Sequence, residues 1–106
     1  MDSDRELLEL AAKAAGIEGE IKKTFGGWPC VMRKNGHAWQ PMHDDGDALR
    51  LAVDLDFDIE LTEDAAWAGG INSQNHQLYE WHRNCKYAAT RRAIVRAAAE
   101  IGKAMP

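Results

Sequence analysis

The spacing of apolar residues along the chain predicts an amphipathic helix at the N-terminus. Ser3 followed by Glu6 is a capping box, in which each side chain satisfies a backbone amide at the start of the helix. Gly16 ends the helix, because glycine readily takes the left-handed conformation of a C-terminal cap. The apolar stripe between these residues recurs at helical intervals and consists of Leu7, Leu10, Ala11, Ala14 and Ala15.

A second helix followed by a strand is predicted in the middle of the chain. The helix is capped by Asp44 or Asp45 and runs to about residue 55. Asp47 falls in its first turn, where the helix dipole favours an acid. In residues 57–61 apolar and acidic side chains then alternate, which is the pattern of a half-buried strand. The apolar positions expected to face inward are Phe57, Ile59 and Leu61.

The last predicted helix, residues 85–101, carries an apolar stripe and a row of basic residues. Asn84 is expected to cap it and Gly102 to end it. Arg92 and Arg96 lie one turn apart, a spacing that could serve phosphate binding. The acidic pI of about 5.5 opposes this function, so both arginines are expected to be solvated or paired with acids. The buried stripe is expected to be Thr90, Ile94, Ala97, Ala98 and Ile101.

A tight hairpin is predicted ahead of the middle helix. Residues 30–34 and 37–40 flank an Asn-Gly pair, which tolerates the positive φ angles of a type I′ turn. In that register Met32 lies opposite Trp39. Further strands are expected at residues 65–68 and 77–83, with a shorter one within residues 18–29. In the strand at residues 77–83, Tyr79 and Trp81 are expected to share one face.

Together these elements predict an α+β fold in a single domain spanning residues 1–106. We expect a small α/β/α sandwich, in which a mostly antiparallel sheet of about four to five strands lies between N-terminal, middle and C-terminal helices. A two-layer arrangement, with all helices on one face, is the alternative. The predicted core consists of Leu7, Leu10, Leu49, Val53, Phe57, Ile59, Leu61, Trp81, Ile94 and Ile101.

Composition adds the expectation of a soluble cytoplasmic protein. Apolar residues make up 45% and charged residues 28% of the 106 residues, which is ordinary for a globular chain. No apolar run approaches the ~20 residues that a membrane span needs. Residues 44–64 hold nine acids and one base, a sum of −8 within a chain of net charge −4. This segment is the expected source of acids for the arginines of the last helix.

Three segments resemble small phage and prophage proteins known as the phage ABA sandwich family, named for its α/β/α layering. Residues 39–41 (Trp-Gln-Pro) lead into residues 44–49 (Asp-Asp-Gly-Asp-Ala-Leu), and residues 89–101 form the matching last helix. Residues 7–12 before a Gly-Ile pair are similar as well. The resemblance implies the sandwich fold and a bacterial host. It transfers no catalytic residue, because the members are largely uncharacterised accessory proteins.

The histidines and cysteines offer the main alternative to a binding function. His76, His82 and Cys85, with Cys30, have the chemistry of zinc ligands or of a nucleophile and its base. Their spacing matches no zinc finger or ribbon and no catalytic motif. We therefore expect no metal site, no cofactor and no catalytic residue.

The resulting hypothesis is a non-enzymatic phage or prophage accessory protein that binds another macromolecule, with a protein as the expected partner and no membrane. The alternatives are a small enzyme or metal-binding protein that uses the His76, His82 and Cys85 cluster, and a nucleic-acid-binding protein that uses Arg92 and Arg96. Four tryptophans are many for this length. Most are expected in or near the core, and any left exposed would indicate a partner surface.

Overall fold

The computed structural model describes residues 3–70, 78–83 and 85–106, which form three helices and six strands. In chain order these are α1 (Asp4–Ala15), β1 (Glu20–Lys23), β2 (Pro29–Met32), β3 (Ala38–Trp39), α2 (Asp45–Asp54), β4 (Phe57–Leu61), β5 (Ala65–Gly70), β6 (Leu78–Trp81) and α3 (Lys86–Ala104). The predicted α+β class and the predicted order of elements are confirmed.

The strands form two small antiparallel sheets. The first has the order β1-β2-β3 and the second the order β4-β5-β6, with each strand beside its sequence neighbour. In the described residues these two sheets replace the single sheet of four to five strands that we expected. Helix α2 separates the two groups of strands along the chain, so each sheet is built from sequential hairpins.

The first two helices begin and end as their local signals predict. The Ser3 side chain accepts a hydrogen bond from the Glu6 amide, and Gly16 closes α1 at a φ of 69°. The Asp44 side chain caps α2 by accepting from the Asp47 amide at 2.8 Å, and Leu55 is the C-terminal cap. Short-range capping chemistry was therefore sufficient to find these boundaries.

The β2–β3 hairpin has a different register from the predicted one. Val31, not Met32, lies opposite Trp39. The cause is the turn, because residues 34–36 form a three-residue connection in which Gly36 has a φ of 87°. Such a turn, with its last residue left-handed, shifts the pairing by one position relative to a two-residue turn.

Helix α3 does not end at Gly102 as predicted but continues to Ala104. Gly102 is buried, and a Cβ atom added there would lie 2.1 Å from the backbone oxygen of Leu10 in α1. Glycine therefore permits close contact between α1 and α3 at this point. The N-terminal cap of α3 is Cys85, and the predicted cap Asn84 lies outside the described residues.

The core is rich in alanine and lies between the helices and one face of each sheet. Leu7 and Ile94 are buried as predicted, and Phe57 and Ile59 are half-buried. Five residues predicted to be buried are exposed instead: Leu49, Val53, Leu61, Trp81 and Ile101. The buried positions are taken largely by the smaller residues Ala11, Ala48, Ala52, Ala66, Ala68, Ala93, Ala97 and Ala98.

The inward face of α2 explains part of this difference. Ala48, Leu51 and Ala52 are buried. Leu49 and Val53 therefore lie on the solvent side, one turn apart from each other. The predicted core took Leu49 and Val53 from this helix and left out Leu51, so it assigned the wrong face of α2 to the interior. Within the described residues, no helix combines the length and apolar character needed to cross a bilayer.

Candidate functional site

Three aromatic side chains lie together on the β4–β6 sheet. Trp67 in β5 is directly opposite Tyr79 in β6, with ring centroids 4.9 Å apart. Trp81 is two residues further along β6, so it shares the face of Tyr79, and the two rings meet edge-on at 5.5 Å. We call these three residues the aromatic face. The sequence predicted that Tyr79 and Trp81 share a face, and the structure confirms it.

The aromatic face is the side of the sheet opposite to α3. The alternate residues Ala66 and Ala68 of β5 are fully buried in the core that contains Ile94 of α3. Tyr79 and Trp81 are 43% and 55% exposed, while Trp67 is half-buried. Clusters of exposed large aromatics on a small domain mark interaction surfaces more often than scattered apolar residues do.

Two acids share this side of the sheet. Glu60 of β4 is directly opposite Trp67, and Asp58 lies two residues earlier in the same strand. Both side chains are exposed. The aromatic face is thus bordered along β4 by negative charge, as the alternation of acids in this strand predicted.

The basic row of α3 is engaged in ion pairs. Arg92 Nη1 lies 2.9 Å from Asp4 Oδ1, and its Nε lies 3.9 Å from Glu80 Oε1. Arg96 donates to the same Glu80 carboxylate and, at 3.1 Å, to the backbone oxygen of Tyr79. These acids do not come from residues 44–64, so that part of the expectation is wrong. The neighbouring Arg91 does pair with an acid of that segment, since its Nη1 atom lies 2.6 Å from Asp45 Oδ1.

Replacing Arg92 by Gln should change the free energy of unfolding by no more than ~1 kcal/mol, because exposed ion pairs contribute little. We also expect no tight binding of duplex DNA or of RNA at ~50 mM salt, where screening is weak. Urea denaturation and fluorescence anisotropy measure the two effects. Micromolar nucleic-acid binding that disappears in the R92Q/R96Q double variant would contradict this interpretation.

Residues from two of the predicted alternative sites lie beside the same cleft. His82, Cys85, Arg92 and Arg96 all line one open cleft of about 820 Å³. The His82 Nδ1 atom lies 3.1 Å from the backbone oxygen of Glu63, and its Nε2 atom is buried with no hydrogen-bond partner among the described residues. The Cys85 sulfur accepts from the backbone amide three residues later at 3.4 Å.

This cleft does not assemble the predicted alternative site. No hydrogen bond among the described residues joins the His82 ring to the Cys85 thiol. Cys30 is buried in β2, and His76 lies outside the described residues. In the part of the chain that the structure describes, no group of three His, Cys, Asp or Glu side chains is placed to hold a metal ion.

Sequence reasoning missed the burial of the Asp47 carboxylate. It is 1% exposed, and its carboxylate accepts from the Gln40 amide at 3.0 Å, from His37 Nε2 at 2.9 Å and from Arg50 Nη2 at 3.2 Å. Burial by itself raises the pKa of Asp47, but the hydrogen bonds from Gln40, His37 and Arg50 together lower it by more, so the net pKa is below the ordinary value. Asp47 therefore stays ionised and joins the β2–β3 hairpin to α2.

The sequence held only an indirect signal for this cluster. Asp47 is in the first turn of α2, where an acid is common on electrostatic grounds alone. His37 and Arg50 reach it from opposite directions along the chain, and only the docking of the hairpin on the helix brings them together. Asp47, His37 and Arg50 also line an open cleft of about 360 Å³ with Arg33 and Asp54.

His43, whose pKa is lowered, lies near the start of α2. The His43 ring stacks on Trp28, with centroids 4.3 Å apart and planes inclined by 18°. Partial burial lowers the pKa of His43, and the nearby Arg91 lowers it further, while Asp4 acts in the opposite direction. The neutral ring is thus the form that the folded protein favours.

Stability should consequently decline slightly as the pH falls through the unfolded histidine pKa of about 6.5 toward the lower folded value. The unfolded chain binds the proton more readily than the folded one, so protonation favours unfolding in that window. Urea midpoints at pH 7 and pH 5 measure the change, and His43→Gln should reduce it. An equal decline in the variant would show that His43 is not responsible.

Comparisons with known proteins do not assign this chain to a family. No family model matches it, and neither the curated proteins nor the solved structures provide a match.

Proposed function

We propose that this chain is a non-enzymatic accessory protein that binds another macromolecule through the aromatic face. The observation that carries the proposal is the exposure of Tyr79 and Trp81 beside Trp67. Burial of an aromatic ring stabilises a fold by a few kcal/mol, and these rings forgo part of that gain in the isolated chain. Trp and Tyr are also the residues most enriched at the energetic centres of protein interfaces.

The alternative functions have weaker support. An enzyme built on His76, His82 and Cys85 would need the thiol in contact with a histidine base, and a metal protein would need three ligands close together. Among the described residues neither arrangement is present, and the Cys85 sulfur accepts from an amide of α3. A nucleic-acid-binding protein built on Arg92 and Arg96 would need unpaired charge, and both side chains contact Glu80. An acidic chain also repels a polyanion at long range.

The resemblance to phage ABA sandwich proteins supplies the biological context of the proposal. It favours a phage or prophage origin, action in the cytoplasm of a bacterial host and a host or phage protein as the partner. In an α/β/α arrangement a second layer would cover the free side of a sheet. On the β4–β6 sheet that side carries the aromatic face, and a bound partner would provide the missing cover.

Affinity capture from lysates of the bacterial host, with and without phage infection, tests this function. The wild-type chain is compared with Trp81→Ser and with the control Tyr87→Ser, which removes an equally exposed aromatic from α3. We expect one protein to be retained by the wild type and the control and to be lost with Trp81→Ser. A partner retained equally by all three chains would place the binding surface elsewhere.

A further inference from the structure

We propose that the aromatic face recognises arginine side chains of an extended segment in a protein partner. This inference rests on the proposed binding function and specifies its ligand. Two features of the face support this ligand. Its charge favours a cation, and its ring arrangement favours a planar one, which together describe a guanidinium group.

The strands that carry the face contribute only negative charge to it. Strands β4, β5 and β6 contain no lysine or arginine, and Asp58 and Glu60 are exposed on the same side as the aromatic rings. The third acid of these strands, Glu80, points to the other side and is neutralised by Arg96. A cationic partner would therefore meet two carboxylates that have no basic neighbour within these strands.

The rings provide the second feature. Glu60, Trp67 and Tyr79 occupy one cross-strand row, since Glu60 is opposite Trp67 and Trp67 is opposite Tyr79. Directly opposed side chains have Cβ atoms about 5 Å apart. A planar cation stacked on the Trp67 ring is then within reach of the Glu60 carboxylate.

Arginine fits this combination better than lysine does. Its guanidinium is planar and weakly hydrated, stacks on aromatic rings and donates two parallel hydrogen bonds to a carboxylate. The ammonium of lysine is a compact point charge that holds its water more firmly. Tyr79 and Trp81, at 84° to each other, offer a second ring face for the next cationic side chain or for the apolar part of an arginine.

The same charges disfavour two other occupants. A second copy of the chain would bring Asp58 and Glu60 toward their own equivalents, and like charges in such a contact repel each other. A nucleic acid would place phosphates beside the same carboxylates. An arginine-bearing polypeptide is the occupant that satisfies both the rings and the acids.

Direct titration with two peptides tests the inference. One peptide alternates glycine and arginine, and the other alternates glycine and lysine at the same length. Isothermal titration measures affinity, and amide chemical shifts in NMR spectra locate the contact. We expect the arginine peptide to bind more tightly than the lysine peptide, to shift the amides of β5 and β6, and to weaken as salt is added.

Matched variants assign the effect to the face. Glu60→Gln and Trp81→Leu should each weaken the arginine peptide by about two- to fivefold, the range of one exposed cation–π or ion-pair contact. Glu18→Gln and Tyr87→Leu, which remove an exposed acid and an exposed aromatic outside the face, should leave the affinity unchanged. All four positions are exposed, so circular dichroism should show the wild-type fold in each.

Several results would overturn the inference. These are equal affinity for the two peptides, no loss with Glu60→Gln, or self-association of the chain that Trp81→Leu abolishes. A protein captured from lysate through Trp81 without any binding of the arginine peptide would leave the proposed function standing and refute arginine recognition alone.

Discussion

Replacing Asp47 by alanine is expected to lower the free energy of unfolding by about 3–5 kcal/mol, the usual result of removing one partner from a buried charged group. The substitution leaves the amide of Gln40 without its acceptor and removes the anion that His37 and Arg50 contact. It also detaches the β2–β3 hairpin from the first turn of α2. Urea denaturation followed by circular dichroism measures the loss.

The control is Asp45→Ala in the same helical turn. Asp45 is exposed and pairs only with Arg91 among the described contacts, so its loss should cost no more than ~1 kcal/mol. Equal effects at the two positions would mean that the carboxylate of Asp47 does not organise this region. A small effect of Asp47→Ala by itself would contradict the account in the same way.

The dependence of stability on pH gives a second view of Asp47. The pKa of Asp47 is lower in the folded protein than in the unfolded chain. The ionised carboxylate therefore contributes fully to the free energy of unfolding at pH values above the unfolded pKa of about 3.9. That contribution is lost as the pH falls through the folded pKa. The Asp47→Ala variant should therefore lose less stability between pH 5 and pH 2 than the wild type does.

Replacing Gly102 by alanine is expected to destabilise the fold by about 1–3 kcal/mol, the range for overpacking a close contact. In an ordinary helix interior the same change stabilises by up to ~1 kcal/mol, because alanine is the better helix former. Here the new Cβ would lie 2.1 Å from the Leu10 oxygen, which belongs to the backbone and cannot rotate away. Helices α1 and α3 must move apart or bend to admit it.

The matched control is Gly46→Ala, at the start of α2. An added Cβ there would first meet the flexible end of the Arg50 side chain at 3.1 Å, which can move. We expect that variant to be neutral or slightly stabilised. Thermal denaturation of both variants decides the matter, and a Gly102→Ala protein as stable as the wild type would show that the two helices are not in close contact.

Local signals predicted the helices well because caps act within one turn. Ser3, Gly16 and Asp44 each satisfy backbone groups next to them, and no distant contact is needed to place them. The last helix shows the limit of this reasoning. Gly102 has the sequence signature of a helix end, but in the structure it allows the backbone of α1 to approach α3 closely. Only the packing of α1 on α3 reveals this role.

The core and the candidate site depended on such distant contacts. Alternation in β6 correctly placed Tyr79 and Trp81 on one face, but alternation alone does not say which face a helix covers. The covered face proved to be that of Ala66 and Ala68, since small residues let α3 approach the sheet closely. Trp81 was consequently assigned to the core, although it lies on the opposite, exposed side.

The most direct test of the aromatic face is photocrosslinking in phage-infected bacterial cells, the setting that the proposed function implies. Benzoylphenylalanine is introduced in place of Trp81 in one strain and in place of Tyr87 in another, so that the same reactive group samples the face and a distant surface. The account predicts a discrete crosslinked product with one protein from position 81 and none from position 87. Crosslinks from position 87 alone, or the same product from both positions, would contradict it.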